Sequence, residues 1–384
     1  MLEKFIRQLA ASESLTDEHV HLAIEALLDD AVPVAVKADF LSELARKGET
    51  AEEIAAFARL LRAKAVQPPL DAETRAREIL DVVGTGGDRL GTFNISTTVA
   101  IVCAAAGVTV AKHGNRAATS QCGSADVLEA LGIRIDLPPE AAARSLREHG
   151  FVFLFAPNYH PAFKHIAPAR KLCAERGQRT IFNFLGPLLN PAKPTAMLVG
   201  VPQPDLCETL ARVLQSLGVR RAMVVCGQVD REPQGQYSVA SVQYPESSNQ
   251  LPHPQPTTPQ PSTSPAPAHL DELSTLGDNT IAEFYQERGF TASVLSPDQF
   301  PLQPASLADL LGGGREANAE IVRRLLDGRE RGPKRDAVLL NAAAALFVAG
   351  KIRSLADGWD LAAETIDSAK ANAKLTELRE HHSR

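Results

Sequence analysis

The sequence has few cysteines, and none of them stands in a metal-binding or disulfide pattern. Five cysteines occur among 384 residues, and no two of them form a Cys-x-x-Cys pair. This spacing argues against a structural zinc site, and an odd, scattered set argues against a disulfide framework. Unpaired cysteines favour a reducing compartment, so we expect a cytoplasmic protein.

Long apolar runs and an excess of basic residues are also absent. The longest apolar stretch, residues 99–111, is shorter than the roughly 20 residues that a bilayer-spanning helix needs. The first ten residues include Glu3 and lack a continuous apolar core, unlike a signal peptide. The net charge is -6, whereas proteins devoted to nucleic acid usually carry a basic excess. We therefore expect neither a membrane nor a nucleic-acid partner.

The first seventy residues carry helical patterns and no strand pattern. Thr50 and Glu53 have the spacing of a capping box, in which each side chain accepts a hydrogen bond from the other residue's backbone N–H. Apolar residues recur at helical spacing in two groups, which are Val20, Ala23, Ile24 and Leu27, then Ile54, Phe57, Ala58 and Leu61. We predict a small all-helical N-terminal domain over residues 1–72.

From residue 79 onward, short β-branched runs alternate with helical segments. Glycines at 107, 132, 150 and 218 mark helix ends, as is common where a helix terminates in a left-handed residue. The predicted strands cover residues 79–83, 108–110, 133–135, 151–155, 197–201 and 223–225. Such alternation indicates an α/β domain, which we place at residues 73–384, with a mainly parallel central sheet and surrounding helices.

One segment of this domain departs from the pattern. Eight prolines lie between Pro245 and Pro267, and after Glu246 the stretch has no Asp, Glu, Lys or Arg. Such a composition offers little apolar surface to offset the entropy of ordering the chain. We interpret residues 229–268 as a flexible insert. A proline-rich ligand for a partner domain is the alternative.

Three polar, glycine-rich loops occur within forty-five residues, and each is open to two interpretations. The sequence GTGGD at 84–88 follows a strand and is neither a dinucleotide fingerprint nor a Walker A loop. It is either an anion-binding loop or a tight turn into a helix. The sequence NIST at 94–97 begins a helix, where Ser96 and Thr97 either help to bind an anion or merely cap it.

The third loop follows the next strand. KHGNR at 112–116 combines basic and polar groups, and Ser124 opens the following helix. Ligands in open parallel sheets bind beyond the carboxyl ends of the strands. We therefore predict that the three loops meet in one ligand site.

Taken together, these motifs resemble the anthranilate phosphoribosyltransferases. The resemblance extends over nearly the whole chain, in the order GTGGD, NIST, KHGNR, GSADVLEALG at 123–132, RTIFNFLGPLLNP at 179–191, DELS at 271–274 and LNAAAALFVAGK near the end. It implies transfer of a phosphoribosyl group from phosphoribosyl pyrophosphate to the amine of anthranilate, in tryptophan biosynthesis. It also implies Mg²⁺ as the cofactor, a homodimer, and a helical domain that includes part of residues 163–190.

The resemblance also assigns residues to each ligand. For the donor they are Gly84, Gly87, Asp88, Thr92, Asn94, Ile95, Ser96, Thr97, Lys112, His113, Gly114, Asn115, Arg116, Ala117, Ala118, Thr119, Ser120 and Ser124. For anthranilate they are Gly84, Asn115 and Arg170, and for the metal they are Ser96, Asp271 and Glu272. Oxygen ligands suit Mg²⁺, and an arginine can pair with a carboxylate through two hydrogen bonds.

The expected reaction needs no covalent nucleophile, because the aromatic amine is already neutral at pH 7. His113 is either a proton acceptor or an acceptor-side contact. Two features depart from the family pattern, namely a longer spacing between Arg170 and Arg179 and the insert that precedes Asp271. The alternatives are a pyrimidine-nucleoside phosphorylase of the same fold and a non-catalytic relative that binds nucleic acid or a partner.

Overall fold

The computed structural model describes residues 1–117, 121–229, 268–286 and 289–382. The predicted flexible insert at 229–268 therefore lies almost entirely outside the described residues, and its flexibility stays a prediction. Its two ends are nevertheless placed, because Val229 pairs with Ala268 between antiparallel strands. The chain leaves the sheet and re-enters it at directly opposite positions.

The N-terminal part is helical, as predicted. Its first four helices are α1 (Leu2–Ala10), α2 (Asp17–Leu28), α3 (Val34–Lys47) and α4 (Ala51–Ala63). The capping box is present at the start of α4, where Thr50 Oγ1 accepts from Glu53 N at 3.2 Å and Glu53 Oε2 accepts from Thr50 N at 2.9 Å. The two predicted apolar faces are buried in one core.

Two helices from residues 163–190 share this core. They are α10 (Ala167–Glu175), which packs on α3, and α11 (Phe182–Leu188), which packs on α4. The same core continues onto one face of the sheet through residues such as Val199 and Val224. The exact division into domains, including the assignment of 163–190 to the helical one, stays a prediction that these contacts support.

A single mixed sheet of eight strands forms the centre of the described α/β part. The strands are β1 (Ile79–Gly84), β2 (Thr109–Gly114), β3 (Phe151–Phe155), β4 (Ala196–Gly200), β5 (Arg221–Val229), β6 (Ala268–Leu270), β7 (Asn279–Tyr285) and β8 (Gly289–Leu295). The order is β3-β2-β1-β4-β5-β7-β8, with β6 also paired to β5. The first five are parallel, and β6, β7 and β8 add antiparallel pairs. The predicted fold class is confirmed.

One predicted strand is wrong and three strands were not predicted. Residues 133–135 form a connection after helix α7 (Ser124–Ala130), and Ile133 and Ile135 are buried against the core without entering the sheet. A short buried apolar run looks the same in either role, because periodicity alone does not show whether a sheet edge is available. The antiparallel strands β6, β7 and β8 follow the insert and carry mixed polar sequences.

The remaining helices cover the sheet and complete the second core. They are α5 (Ala72–Ala76), α6 (Ile95–Ala105), α7 (Ser124–Ala130), α8 (Pro139–His149), α9 (Ala156–Tyr159), α12 (Asp205–Ser216), α13 (Leu307–Leu310), α14 (Arg315–Leu326), α15 (Pro333–Val348), α16 (Leu355–Asp367) and α17 (Lys370–His382). The apolar helices α6 and α15 pack on each other beneath the sheet. Among the described residues no helix has both the length and the hydropathy required to cross a bilayer.

Candidate active site

A cleft of about 640 Å³ opens at the carboxyl ends of β1 and β2. It brings the three predicted loops together. The predicted residues that line it are Gly84, Gly87, Asp88, Thr92, Asn94, Ile95, Ser96, Lys112, His113, Gly114, Asn115, Ser124, Asp271 and Glu272. Residues more than 180 positions apart in the sequence thus share one surface, which we call the donor cleft.

The GTGGD loop is the first part of a long connection between β1 and α6. Gly86 and Gly87 have φ angles of 74° and 93°, a left-handed region that favours glycine. No helix starts until Ile95, so the alternative of a tight strand-to-helix turn is wrong. The loop instead lines the cleft and is tied to neighbouring segments, because Gly86 N donates to Asp271 Oδ2 at 2.7 Å and Thr85 N donates to the Gly200 carbonyl at 2.9 Å.

Lys112 lies at the floor of the donor cleft. Only 1% of it is exposed, and its Nζ donates to the Val82 carbonyl at 2.5 Å and to Ser96 Oγ at 3.3 Å. Burial lowers the pKa of Lys112, whereas the charges of Asp81, Glu272 and Asp271 act in the opposite direction. These hydrogen bonds hold the ammonium group between the first strand and the start of α6.

Three glycines make room for the acidic pair. Gly84, Gly200 and Gly227 lie at or near the carboxyl ends of β1, β4 and β5, and residues 271–274 cross directly over them. A Cβ atom at Gly84 or Gly200 would collide with Asp271, and one at Gly227 would lie 2.6 Å from the Glu272 carbonyl oxygen. Small residues on neighbouring strands therefore allow this segment to deliver two carboxylates to the cleft.

Negative charges on Asp271 and Glu272 are unfavourable in the protein without a bound cation. Burial and then the neighbouring Asp88 raise the pKa of Asp271 to about 7, and burial and then Asp271 raise the pKa of Glu272 to about 8. Glu272 Oε1 also accepts from Ser96 N at 3.2 Å. A divalent cation would relieve both the repulsion and the loss of hydration. Oxygen donors in this arrangement fit Mg²⁺.

The start of α6 is not capped by the residues that the sequence suggested. Asn94 is the N-cap position, and Ser96 and Thr97 belong to the first turn, so simple capping by either of them is wrong. The Asn94 side chain is fixed by Asn318 at 2.9 Å and by the Cys122 carbonyl at 3.1 Å. Thr97 is fully buried and is absent from the cleft surface, although it was predicted as a donor contact.

Asp126 organises the loop that follows KHGNR. Its Oδ2 accepts from Ala117 N at 3.0 Å and from Gly123 N at 2.9 Å. Arg116 pairs with Asp126 and Glu129, so its guanidinium group is committed to α7. The predicted donor contacts Ala118, Thr119 and Ser120 lie outside the described residues.

A second cleft of about 410 Å³ adjoins the first and shares Gly84, His113 and Asn115 with it. Its other side consists of aromatic rings from His160, from the short 3-10 helix Pro161–His165 and from α11. The ring centroids of His160 and Phe163 lie 5.2 Å apart, and those of Phe163 and Phe182 lie 5.6 Å apart. We call this surface the acceptor cleft. A flat aromatic ligand suits such a lining.

Arg170 lines the acceptor cleft from α10. Its guanidinium carbon lies 5.1 Å from the centre of the Phe182 ring. Within the described part of the chain it forms no ion pair. An exposed arginine held over an aromatic ring and lacking a carboxylate partner is suited to bind one from a ligand. The longer spacing before Arg179 thus leaves Arg170 at the cleft.

His113 and His160 form a buried pair between the two clefts. Their Nε2 atoms are 3.2 Å apart, so one ring donates to the other. Burial lowers the pKa of His113 to about 3 and that of His160 to about 4, so both rings are neutral at pH 7. Nδ1 of His160 is buried and has no hydrogen-bond partner within the described protein. His160 was not predicted from the sequence.

Asp81 and Asn190 support the site from behind and were also missed. Asp81 accepts from His113 N at 3.3 Å and from Asn190 Nδ2 at 2.8 Å, and Asn190 also donates to the Ala111 carbonyl at 2.7 Å. Burial raises the pKa of Asp81 to about 6, against the attraction of Lys112. A lone acidic residue inside an apolar strand, within ILDVV, was the available signal for this role.

Comparison with known proteins agrees with this geometry. Two family models match the chain, namely a glycosyl transferase family helical bundle domain at residues 3–65 and a glycosyl transferase family α/β domain at residues 76–251 and 266–372. The fold and the site thus define a glycosyl transferase with a helical bundle and an α/β domain.

Relatives narrow the class further. The chain is 41% identical to the anthranilate phosphoribosyltransferase of Petrotoga mobilis over 99% of this chain and 96% of that protein. It is 42% identical to that of Lacticaseibacillus casei over 98% and 96%. The crystal structure of the Thermus thermophilus enzyme superposes with a TM-score of 0.80 at 39% identity, covering 99% of both chains. The chain belongs to the anthranilate phosphoribosyltransferase family.

Proposed function

We propose that the protein transfers the 5-phosphoribosyl group of phosphoribosyl pyrophosphate to the amine of anthranilate, releasing pyrophosphate. One observation carries this proposal. A cleft with a buried lysine and an acidic pair adjoins an aromatic cleft with an arginine that forms no ion pair among the described residues, and Gly84, His113 and Asn115 line both. A phosphorylated sugar and an aromatic acid can therefore meet at a common boundary.

The donor cleft matches the needs of pyrophosphate departure. Backbone N–H groups of Gly87 and Asp88 and the Lys112 ammonium group would stabilise negative charge on the leaving group. Asp271, Glu272 and Ser96 are the groups that would hold Mg²⁺, which supplies further charge neutralisation when bound. Their oxygen atoms fit that ion. Positioning of the sugar against the amine provides much of the remaining rate enhancement.

The acceptor cleft matches the shape and charge of anthranilate. Arg170 would pair with the carboxylate, Asn115 would contact the bound ring from the strand side, and Phe163 and Phe182 provide apolar walls. The amine is neutral at pH 7, so its lone pair is available without a base. We assign no covalent nucleophile.

Whether His113 accepts a proton in the reaction depends on its pKa and on the groups around its ring. Its low pKa makes it a poor proton store at neutral pH, and its Nε2 already faces His160. We propose that His113 acts as a neutral contact at the boundary of the two clefts. The amine proton would then be lost to water or to pyrophosphate as the product forms.

The test is a fluorescence assay on purified protein. Anthranilate emission should fall when phosphoribosyl pyrophosphate and Mg²⁺ are both present, and it should persist when either is left out. Persistence under every metal condition would reject the proposal. Nucleoside cleavage dependent on inorganic phosphate, measured in parallel, would instead support the phosphorylase alternative.

The family resemblance also suggests a cytoplasmic homodimer, and we keep both statements as proposals. Sedimentation equilibrium of the full chain at several protein concentrations tests the dimer directly. A single species with the mass of one chain would contradict it.

A further inference from the structure

A second group of metal-type side chains lies away from the active site. Glu148, His149 and His381 each offer one ligand atom, and these three atoms all lie within 4.8 Å of one another. Glu148 and His149 end helix α8, and His381 lies in the last turn of α17. The two imidazole ring centroids are 3.9 Å apart. Two distant parts of the chain therefore bring three donors to one point.

The position is separate from the two clefts. Helix α8 ends at His149, and the chain passes through Gly150 directly into the first residue of β3. The cluster thus lies at the amino end of β3, whereas both clefts open at the carboxyl ends of the parallel strands. No residue of the cluster lines either cleft.

The surroundings of His149 prepare it for a metal ion. Its Nδ1 lies 2.7 Å from Glu377 Oε1, and the other oxygen of Glu377 is held by Lys374 at 2.7 Å. Its Nε2 is buried and has no hydrogen-bond partner in the described chain. A carboxylate behind one ring nitrogen holds the proton there and leaves a lone pair on the other, which is the usual arrangement of metal-bound histidine. Buried nitrogen atoms without a partner are uncommon.

The charges around the cluster are mixed. Arg147 pairs with Glu148 at 2.8 Å, and Arg144 also lies near His381. The Arg147–Glu148 pair is solvent-exposed, so its net stability is small and a metal ion can displace the arginine.

We propose that Glu148, His149 and His381 bind a zinc-type divalent ion that links helix α17 to the end of helix α8. Two imidazoles and one carboxylate suit Zn²⁺, with water completing the coordination. Mg²⁺ prefers an all-oxygen set, so the cofactor proposed for the active site should not compete here. Because the link joins residues 232 positions apart, binding should stabilise the fold and raise its melting temperature.

The experiment titrates metal-stripped full chain with zinc chloride, in buffer with excess Mg²⁺, by isothermal titration calorimetry. The wild type should bind one Zn²⁺ per chain, and its melting temperature should rise on saturation. His381→Ala should weaken this binding at least tenfold and abolish the rise. Glu377→Gln, which removes the carboxylate behind His149 and its ion pair with Lys374 but none of the three proposed ligands, should weaken it about 10- to 100-fold.

His21→Ala is the matched control, because it removes an exposed imidazole from helix α2, outside the cluster. It should bind Zn²⁺ as the wild type does. All three variants should keep wild-type transferase activity and the metal-free melting temperature, which would show that they are folded. Equal zinc affinity in the wild type and His381→Ala, or no saturable binding by the wild type, would overturn the proposal.

Discussion

The two clefts of the active site are built in opposite ways. The donor cleft takes most of its lining from one stretch, residues 83–124, and Lys112 and Glu272 form hydrogen bonds with the backbone there. The acceptor cleft joins strand ends to α10 and α11, which pack on the N-terminal helices. Within the described residues its arginine forms no ion pair, and Nδ1 of His160 has no hydrogen-bond partner.

The difference follows from what each cleft has to do. Phosphate binding and charge neutralisation require several fixed dipoles, which glycine-rich loops at neighbouring strand ends provide together. Recognition of a flat aromatic acid requires rings and one cation at the right separation, which helices from elsewhere supply. Substitution of a single side chain should therefore change anthranilate binding in the acceptor cleft. Catalysis in the donor cleft should instead be sensitive to the loss of a charged group.

The largest effect should come from removing the buried cation of the donor cleft. Lys112→Met keeps the length of the side chain but leaves the departing pyrophosphate without its ammonium group. We expect kcat to fall by about 10²–10³-fold, the usual cost of losing one electrostatic donor to a developing charge. Steady-state kinetics with circular dichroism as the folding control would check this. A change confined to the KM for anthranilate would place Lys112 in the wrong cleft.

Arg170→Ala should affect the acceptor cleft alone. Loss of a charge-assisted pair costs about 1.5–3 kcal/mol, so the KM for anthranilate should rise roughly 10- to 100-fold while that for the donor stays unchanged. Arg176→Ala is the matched control, since Arg176 lies just beyond α10 and pairs with Asp39 on α3. A rise in the donor KM with unchanged anthranilate KM would contradict the assignment.

Lowering the pH should change the stability contributions of the titratable groups in the two clefts in opposite directions. The folded pKa of His160 is about 4, below the unfolded value near 6.5, so its stabilising contribution is full above pH 6.5 and is lost as pH falls toward 4. The raised pKa values of the buried carboxyl groups have the opposite sign. Between about pH 7 and pH 5 the wild type should therefore lose about 2 kcal/mol more than His160→Gln.

Denaturant unfolding of both proteins at the two pH values measures this difference. His21→Gln, at an exposed histidine, should behave like the wild type. A His160→Gln variant that loses as much stability as the wild type would show that His160 is not held neutral in the folded protein.

The smallest effect should come from the insert. Replacing residues 246–267 with a short Gly-Ser linker should change the free energy of unfolding by only ~0.6 kcal/mol per halving of loop length. Activity should persist, because Val229 and Ala268 are paired and Asp271 is held over Gly84 and Gly200. Thermal melting and the Mg²⁺ dependence of turnover would test both points. A large loss of Mg²⁺ affinity with an intact fold would show that the insert positions the acidic pair.

Much of the donor cleft was predictable because its residues are close in the sequence. The loops at 84–88, 94–97 and 112–116 follow or precede regular elements, and local rules place each at a strand end or helix start. His160, Asp81 and Asn190 were missed because they become significant only through each other and through His113. The strand predicted at 133–135 is wrong for a similar reason. The local sequence indicates that these residues are buried, but strand pairing depends on residues elsewhere in the chain.

The sequence by itself determined the helical N-terminal part, the parallel strands, the helix-ending glycines and the composition of the three loops. These depend on periodicity, capping and turn chemistry, which act over a few residues. Only the tertiary structure decided that residues 271–274 cross three strand ends, that Arg170 faces an aromatic cleft, and that His149 meets His381. Such contacts join positions that are far apart in the chain, and sheet order and helix packing alone bring them together.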